Sequence, residues 1–323
     1  MNFIKYSADA LAVVRGRTRA SVAGIRRRIL GHERKMFIQH NGKTYCSVRE
    51  ISRKANYDEK FLLDVVSRHQ IETVDIENVT CIEKAGLKHF FGLISDATET
   101  PKYGLPFFLA DRGGRCWSVL AEIYNMTIAF PASLSPHQGE FLRSIVLNIA
   151  PEHVVEIGCF IGVSSIWIAS ALEDNNKGVV HSIDLFNDIF PSPPYTYGYL
   201  EDPLAFAKSK VRLARLEHRV NFHKGDSVAI GKKYCNDIGK RIDLLFIDGD
   251  HTVEGCRKDF KLYEPYVNVG GYILLHDIYP DHCGWDGPRY LIDKILKKEN
   301  RFEVLEMKTT PNNFGMALAR KLE

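Results

Sequence analysis

The sequence predicts an α/β fold, a doubly wound parallel sheet preceded by a small α+β module. Three observations carry this. From Val154 onward, apolar runs of strand length alternate with amphipathic runs of helix length, the pattern of a parallel sheet covered by helices on both faces. The run Val154-Val155-Glu156-Ile157 leads straight into Gly158-Cys159-Phe160-Ile161-Gly162 and then into the apolar stretch Ile166–Leu172. That is a strand, a glycine turn and a helix in succession. Upstream, Asn41-Gly42 sits between two short apolar runs, and Ser47-Val48-Arg49-Glu50 has capping-box spacing, which together predict a hairpin followed by a helix.

The chain has 323 residues, 45% of them hydrophobic and 26% charged, the composition of a globular protein of more than one domain. No apolar run is long enough to cross a membrane as a helix. The seven cysteines are scattered and show no C-x-x-C spacing. That pattern argues for a reducing, cytoplasmic setting and against a disulfide framework or a structural zinc site.

The net charge of +3 is unevenly spread: residues 1–35 carry nine Lys/Arg against Asp9 and Glu33, a balance of +7 that leaves −4 for the remainder. This basic N-terminal arm fits a solvated tail, a helix on an anionic membrane or RNA, or an organelle transit peptide. Residues 36–98 form the small module. Its first helix starts at Ser47 and a second follows Asp58, with Phe61, Leu62, Val65 and Val66 on the apolar face. The pair has the layout of a helix-turn-helix. Glu59 and Asp64 on the second helix suit a phosphate-facing element poorly, so packing or a lid over a substrate are the competing roles.

Residues 99–132 are expected to be linker and lead-in, with Pro101, Gly104 and Pro106 marking the linker and 107–130 left unassigned. Residues 133–323 form the main domain. Ser135 caps a helix that has Pro136 in its first turn. Strands are expected at 154–158, 179–184, 220–223, 242–247 and 272–276, with helices at 164–172, 203–216, 253–266 and 288–296 between and after them. Two further strand-like runs, 301–306 and 313–319, close the order.

In such a sheet ligands sit at the carboxyl ends of the strands, where Gly158, Asp184, Asp226, Asp248 and Asp277 all fall. Gly158 and Gly162 have G-x-x-x-G spacing rather than the G-x-G-x-x-G of a pyrophosphate cradle. Asp184 ends the second strand, 22 residues past Gly162. A carboxylate there is where a doubly wound fold grips a ribose hydroxyl. The pocket is therefore nucleoside-like and lacks a pyrophosphate site; Asp184 as a plain surface turn residue is the alternative.

Glu156-Ile157-Gly158-x-x-x-Gly162 with the acidic strand end resembles the class I S-adenosylmethionine-dependent methyltransferases. Gly225-Asp226-Ser227, Asp248-Gly249-Asp250-His251 and the strand Gly270–Asp277 are similar to small-molecule and sugar O-methyltransferases related to the catechol type. The resemblance spans roughly Ser133 to Leu322. It implies a Rossmann-like sheet of seven strands with a C-terminal antiparallel hairpin. It further implies S-adenosylmethionine as cofactor and methyl transfer to a hydroxyl of a small molecule or glycosyl group.

By this resemblance Glu156, Gly158, Gly162 and Ser164 line the methionine end, Asp184 takes the ribose, and Asp226 with Ser227 meets the adenine. His251 is the general base, since a neutral imidazole accepts a hydroxyl proton near pH 7, with Asp248 beside it. Orienting Asp248 or capping the next helix is its structural alternative, and helix capping is the alternative for Asp226. A divalent metal, Mg²⁺ or Mn²⁺, would serve the same deprotonation, with Asp248 and Asp277 as ligands and His276 as the third. The family's third ligand is missing, because Ile278 follows and His276 precedes the second aspartate.

The loop from Tyr279 to Pro288, holding Asp281, His282, Trp285 and Asp286, is expected to wall the acceptor pocket. The insert Pro191–Tyr199 is a lid in the same reading. The rivals are a nucleic-acid-associated methyltransferase targeted by the basic arm, a non-catalytic cofactor-binding protein, and a hydroxylase component. Acceptor identity and oligomeric state, homo-oligomer included, stay open.

Overall fold

A computed structural model describes residues 36–55, 57–96, 102–193, 195–238, 242–308 and 314–323; the basic arm and the start of the expected linker lie outside these residues. The chain divides into two compact units between Ile94 and Ser95.

In the smaller unit, β1 (Phe37–His40) and β2 (Lys43–Ser47) pair across the Asn41-Gly42 turn, where both residues take the positive φ such a turn demands. Helix α1 (Val48–Ala55) follows, its Glu50 N–H donating to the Ser47 hydroxyl at 3.1 Å. Helix α2 (Glu59–Arg68) is capped by the Asp58 carboxylate, which accepts from the Lys60 and Phe61 amides. The unforeseen part is a second hairpin, β3 (Thr73–Ile76) and β4 (Val79–Glu83), followed by helix α3 (Leu87–Asp96). Its turn places Glu77 and Asn78 at φ of 52° and 63°. Glutamate rarely adopts that region, so the local residues gave no hairpin signal. The four strands form one antiparallel sheet in the order β1-β2-β4-β3.

The larger unit begins with α4 (Phe107–Ala110) and α5 (Arg115–Tyr124). These fall in the stretch expected to be lead-in, yet Leu109, Val119, Leu120, Ile123 and Tyr124 belong to the main core. Helix α6 (Pro136–Ile149) starts at the Ser135 cap, and β5 (His153–Ile157) runs through the glycine turn into α7 (Val163–Asp174). There follow β6 (Val179–Asp184), α8 (Pro203–Leu213), β7 (Val220–Lys224), α9 (Ser227–Ile238), β8 (Ile242–Ile247), α10 (Val253–Tyr263) and β9 (Val267–His276). Two short helices, α11 (Pro280–Cys283) and α12 (Gly287–Leu291), precede β10 (Phe302–Met307) and β11 (Met316–Lys321).

The sheet order is β10-β11-β9-β8-β5-β6-β7, parallel from β9 to β7, with β10 and β11 antiparallel at the edge. Its strands are buried on both faces, so apolar residues run almost without alternation. One face packs Val154, Val180, Leu244 and Phe246 against α5, α6 and α7; the other packs Val155, Ile183, Leu245 and Ile273 against α10 and α12. Every residue of α7 from Val163 to Leu172 is buried, which explains why it has no polar face. Its Trp167 keeps its one donor satisfied, Nε1 to the Tyr124 hydroxyl at 2.9 Å, and burying such a ring contributes roughly 3 kcal/mol. No helix among the described residues is long and apolar enough to cross a membrane.

Candidate functional site

The chain leaves β5 toward β6 and β7 on one side and later returns to β8 and β9 on the other. The crevice between β5 and β8 is therefore the topological switch point, where doubly wound sheets bind ligands. Gly158 shapes it. Its φ is +90°, and a Cβ there would collide with the Asp248 carbonyl and the Gly249 Cα. Only glycine lets the end of β5 pass so close to the end of β8. Gly162, φ +87°, then opens α7, with Ala207 against its α-carbon.

Two carboxylates hold this turn. Asp184 Oδ2 accepts from the Cys159 and Phe160 amides at 2.8 and 2.9 Å, and its Oδ1 accepts from the Phe186 amide at 2.7 Å. That occupies three of its roughly four acceptor positions. Glu156 is fully buried beneath the turn, its Oε2 receiving the Ser165 hydroxyl at 2.5 Å. Burial pushes its carboxyl up to about 7, against the pull of the Ser164, Ser165 and Ser182 hydroxyls.

A cavity of about 470 Å³ opens at the crevice. Of the residues expected to bind a nucleoside cofactor, Gly158, Ser164, Asp184, Asp226 and Ser227 line it, and Asp248 and His251 stand at its wall. Glu156 and Gly162 do not line it; they shape the turn from below and behind. Two polar lining residues outside the motifs escaped the sequence reasoning. Ser133 comes from the segment before α6, and its buried hydroxyl has no hydrogen-bond partner. Asp259 comes from the second turn of α10 and is 2% exposed. Neither is adjacent to a motif, so spacing carried no signal for them.

Beside the cavity, β8 and β9 end in a cluster of two carboxylates and two imidazoles. His251 Nε2 lies 3.2 Å from Asp248 Oδ1 and 3.6 Å from Asp277 Oδ2. His276 Nδ1 lies 3.0 Å from Oδ1 of both aspartates. Burial alone would raise the Asp248 carboxyl, but His276 and His251 hold it down at about 2. Burial pulls His251 down, and the Asp248 and Asp277 carboxylates more than reverse it, so its pKa is raised. The same contest leaves His276 raised well above the ordinary imidazole value. Asp277 sits at φ +57°, a region non-glycine residues rarely occupy, so strain accompanies the cluster.

Gln138, also unanticipated, ties this cluster to the start of α6. Its Oε1 accepts from the Ser135 amide at 3.0 Å while its Nε2 lies 3.0 Å from His276 Nε2. A backbone N–H only donates, so the amide oxygen must face Ser135 and the NH₂ must face the imidazole. This arrangement favours an unprotonated Nε2 and opposes the pull of the carboxylates.

The donor set fits a divalent cation. One atom each from Asp248, His251 and Asp277 lie within 4.8 Å of one another, and the buried Asp277 Oδ1 has only the ion-pair contact with His276 and no hydrogen bond. Two oxygens and one nitrogen suit Mn²⁺ or Fe²⁺ at least as well as Mg²⁺. The imidazole that completes this set is His251, expected as the base; His276, expected as the third ligand, instead braces both carboxylates from behind. Asp281, His282 and Asp286 are exposed, and His282 pairs with Lys308 at 2.9 Å. The insert after β6 bridges back onto the segment before α6, with Pro131 opposite Thr196.

Residues 155–278 match a family model described as a methyltransferase domain. An uncharacterized protein of Acanthamoeba polyphaga mimivirus is 39% identical over 130 residues, 35% of this chain and 57% of that protein. A catechol O-methyltransferase of Niastella koreensis is 26% identical over 118 residues, 36% of this chain and 46% of that protein. The chain thus spans about half the length of these curated relatives. Among solved structures, an O-methyltransferase from Bacillus cereus in complex with SAH superimposes with a TM-score of 0.50 at 19% identity, over 73% of this chain and 97% of that one. Residues 155–278 match a methyltransferase domain, and the seven-stranded sheet of the larger unit has the class I methyltransferase fold.

Proposed function

We propose that the larger unit is an S-adenosylmethionine-dependent O-methyltransferase that acts on a hydroxyl of a small molecule or glycosyl group. The observation that carries this reading is the convergence of Asp248, His251 and Asp277 beside a nucleoside-sized cavity that Asp248 and His251 line. Methyl transfer from a sulfonium is an in-line displacement, in which the acceptor oxygen bonds to the methyl carbon as the carbon–sulfur bond breaks. The chain must align the two partners and accommodate the hydroxyl proton. In this reading Gly158 and Ser164 lie along the methionine moiety, Ser133 offers it a free hydroxyl, and Asp184 receives a ribose hydroxyl at its remaining acceptor position. Glu156 and Gly162 act through the turn. The acceptor hydroxyl enters at the Asp248–His251–Asp277 cluster.

A divalent cation held by Asp248, Asp277 and His251 would supply a more acidic acceptor hydroxyl. His276, hydrogen-bonded to Asp248 and at ion-pair distance from Asp277, keeps the two carboxylates aimed at that position. A second reading without a cation rests on the hydrogen bond between His251 and Asp248. There the imidazole takes the proton and Asp248 steadies the resulting cation.

Calorimetric titration with S-adenosylmethionine and S-adenosylhomocysteine, followed by labelled-methyl transfer to catechol and to a glycoside with and without EDTA, tests both. Micromolar cofactor binding is expected, together with a loss of at least ~100-fold in turnover on chelation or in Asp277→Asn. Turnover indifferent to EDTA would instead leave His251 as base. The rate would then rise as pH passes a value above 6.5, because the raised pKa of His251 keeps it protonated below that point. Failure to bind either nucleoside under any condition would sink the assignment.

A further inference from the structure

One part of the cavity wall brings together three carboxylates, Asp226, Asp250 and Asp259, and the Ser227 hydroxyl. Asp226 spends one oxygen on the Ala229 amide at 2.8 Å, capping α9, and Asp250 spends one on the Thr252 amide at 2.9 Å ahead of α10. Asp259 differs from both. It is a helix-interior residue, 2% exposed, and its only hydrogen bond comes from the Ser227 hydroxyl, to Oδ1 at 2.5 Å. Its Oδ2 therefore has no hydrogen-bond partner among the described residues, and the residue lines the cavity.

That oxygen faces the cavity, where water reaches it, so a ligand that displaces this water must supply the donor in its place. Lys258, the neighbouring cation, points to solvent. No lysine or arginine among the described residues lines the cavity. Ser227 cannot be the missing donor, because its one O–H is already committed to Oδ1. The side chains of this part of the wall thus offer acceptors and lack free donors. A ligand seated here must bring a donor edge.

We propose that Asp259 reads the exocyclic amino group of the cofactor's purine, with Ser227 fixing the carboxylate's orientation, an inference that rests on the S-adenosylmethionine reading above. Adenine presents an NH₂ at that edge. Hypoxanthine presents a carbonyl oxygen, which would face the carboxylate lone pairs without a proton between them. Sites that hydrogen-bond a ligand group discriminate strongly against analogues lacking it, because the buried partner is left unpaired. Asp259 is thereby a specificity-determining residue for the nucleobase.

Titration of the full chain with S-adenosylhomocysteine and with its 6-deaminated analogue, S-inosylhomocysteine, at pH 8 tests this. Burial holds the Asp259 carboxyl up at about 6, so at pH 8 it is an acceptor only. The wild type should bind the adenine compound ~100-fold more tightly. Asp259→Asn keeps the bond from Ser227 and turns an NH₂ into the cavity. It should weaken the adenine compound, spare or improve the inosine compound, and shrink the preference at least ~10-fold. Ser227→Ala, which frees the carboxylate to rotate, should shrink it less, and carries the test if Asp259→Asn does not fold. A wild type that binds S-adenosylhomocysteine with an unchanged preference in both variants overturns the inference and leaves the cofactor reading standing. A wild type that binds neither compound overturns the cofactor reading and this inference together.

Discussion

Glu156 shows how one buried carboxyl couples the glycine turn to pH. Its side chain lies wholly out of solvent, with Ser165 donating to one oxygen and the other oxygen without a partner. Burial holds its pKa at about 7 in the fold, whereas an unfolded glutamate titrates near ~4.3. Between those values the folded chain keeps a proton that the unfolded chain has lost. Stability is then full below the unfolded pKa and declines as pH rises through the folded one, by at most ~1.4 kcal/mol per pH unit. Glu156→Gln removes this titration. Thermal unfolding between pH 5 and 8 should show the wild type losing stability with rising pH relative to the variant, and the variant should be the more stable at pH 8. Parallel profiles would mean that Glu156 is ionised in the fold. Asp248, held at about 2 by His276 and His251, loses its contribution only in strong acid and does not enter this window.

Among the elements, α10 links fold and site most directly. Thr252 caps it, its hydroxyl oxygen accepting from the Gly255 amide at 3.0 Å, and the helix carries Asp259 to the cavity wall. Thr252→Ala removes the cap at a cost of ~1 kcal/mol, read as a lower unfolding midpoint. If the helix start positions Asp259, the dissociation constant for S-adenosylhomocysteine should rise severalfold as well; a stability loss with unchanged binding would show that the packing of Phe260 and Tyr263 suffices. Elements of this kind were legible in the sequence because their signals are local. Asn41-Gly42, the Ser135 cap and the apolar run of β5 each announce themselves within a few residues. Glu77-Asn78 does not, since its positive φ values are imposed by strand pairing rather than favoured by its residues. The site was legible where strand ends carry motifs, as at Gly158, Asp184, Asp248 and Asp277. Gln138 meeting His276, and Asp259 meeting Ser227, join distant turns of the chain through tertiary packing. A helix-interior aspartate such as Asp259 reads in sequence as an ordinary solvated residue.

For the molecule as a whole, the larger unit contains everything the proposed chemistry uses. Both apolar clusters that sandwich its sheet are made of residues between Leu109 and Ala319, and every cavity-lining residue lies between Ala132 and Asp259. A unit with its own complete core is expected to fold independently. A chain that begins at Ser95 should therefore unfold in one cooperative transition and bind S-adenosylhomocysteine within ~3-fold of the full chain, since no residue that touches the ligand has been removed. Binding of RNA or DNA by the full chain would separate the remaining role of the N-terminal part. Phosphate contacts made by the nine Lys/Arg of residues 1–35 would weaken steeply between low and moderate salt and would vanish on removal of those residues. Loss of S-adenosylhomocysteine binding in the chain that begins at Ser95, with its unfolding transition intact, would overturn the independence of the site and assign part of it to the smaller unit.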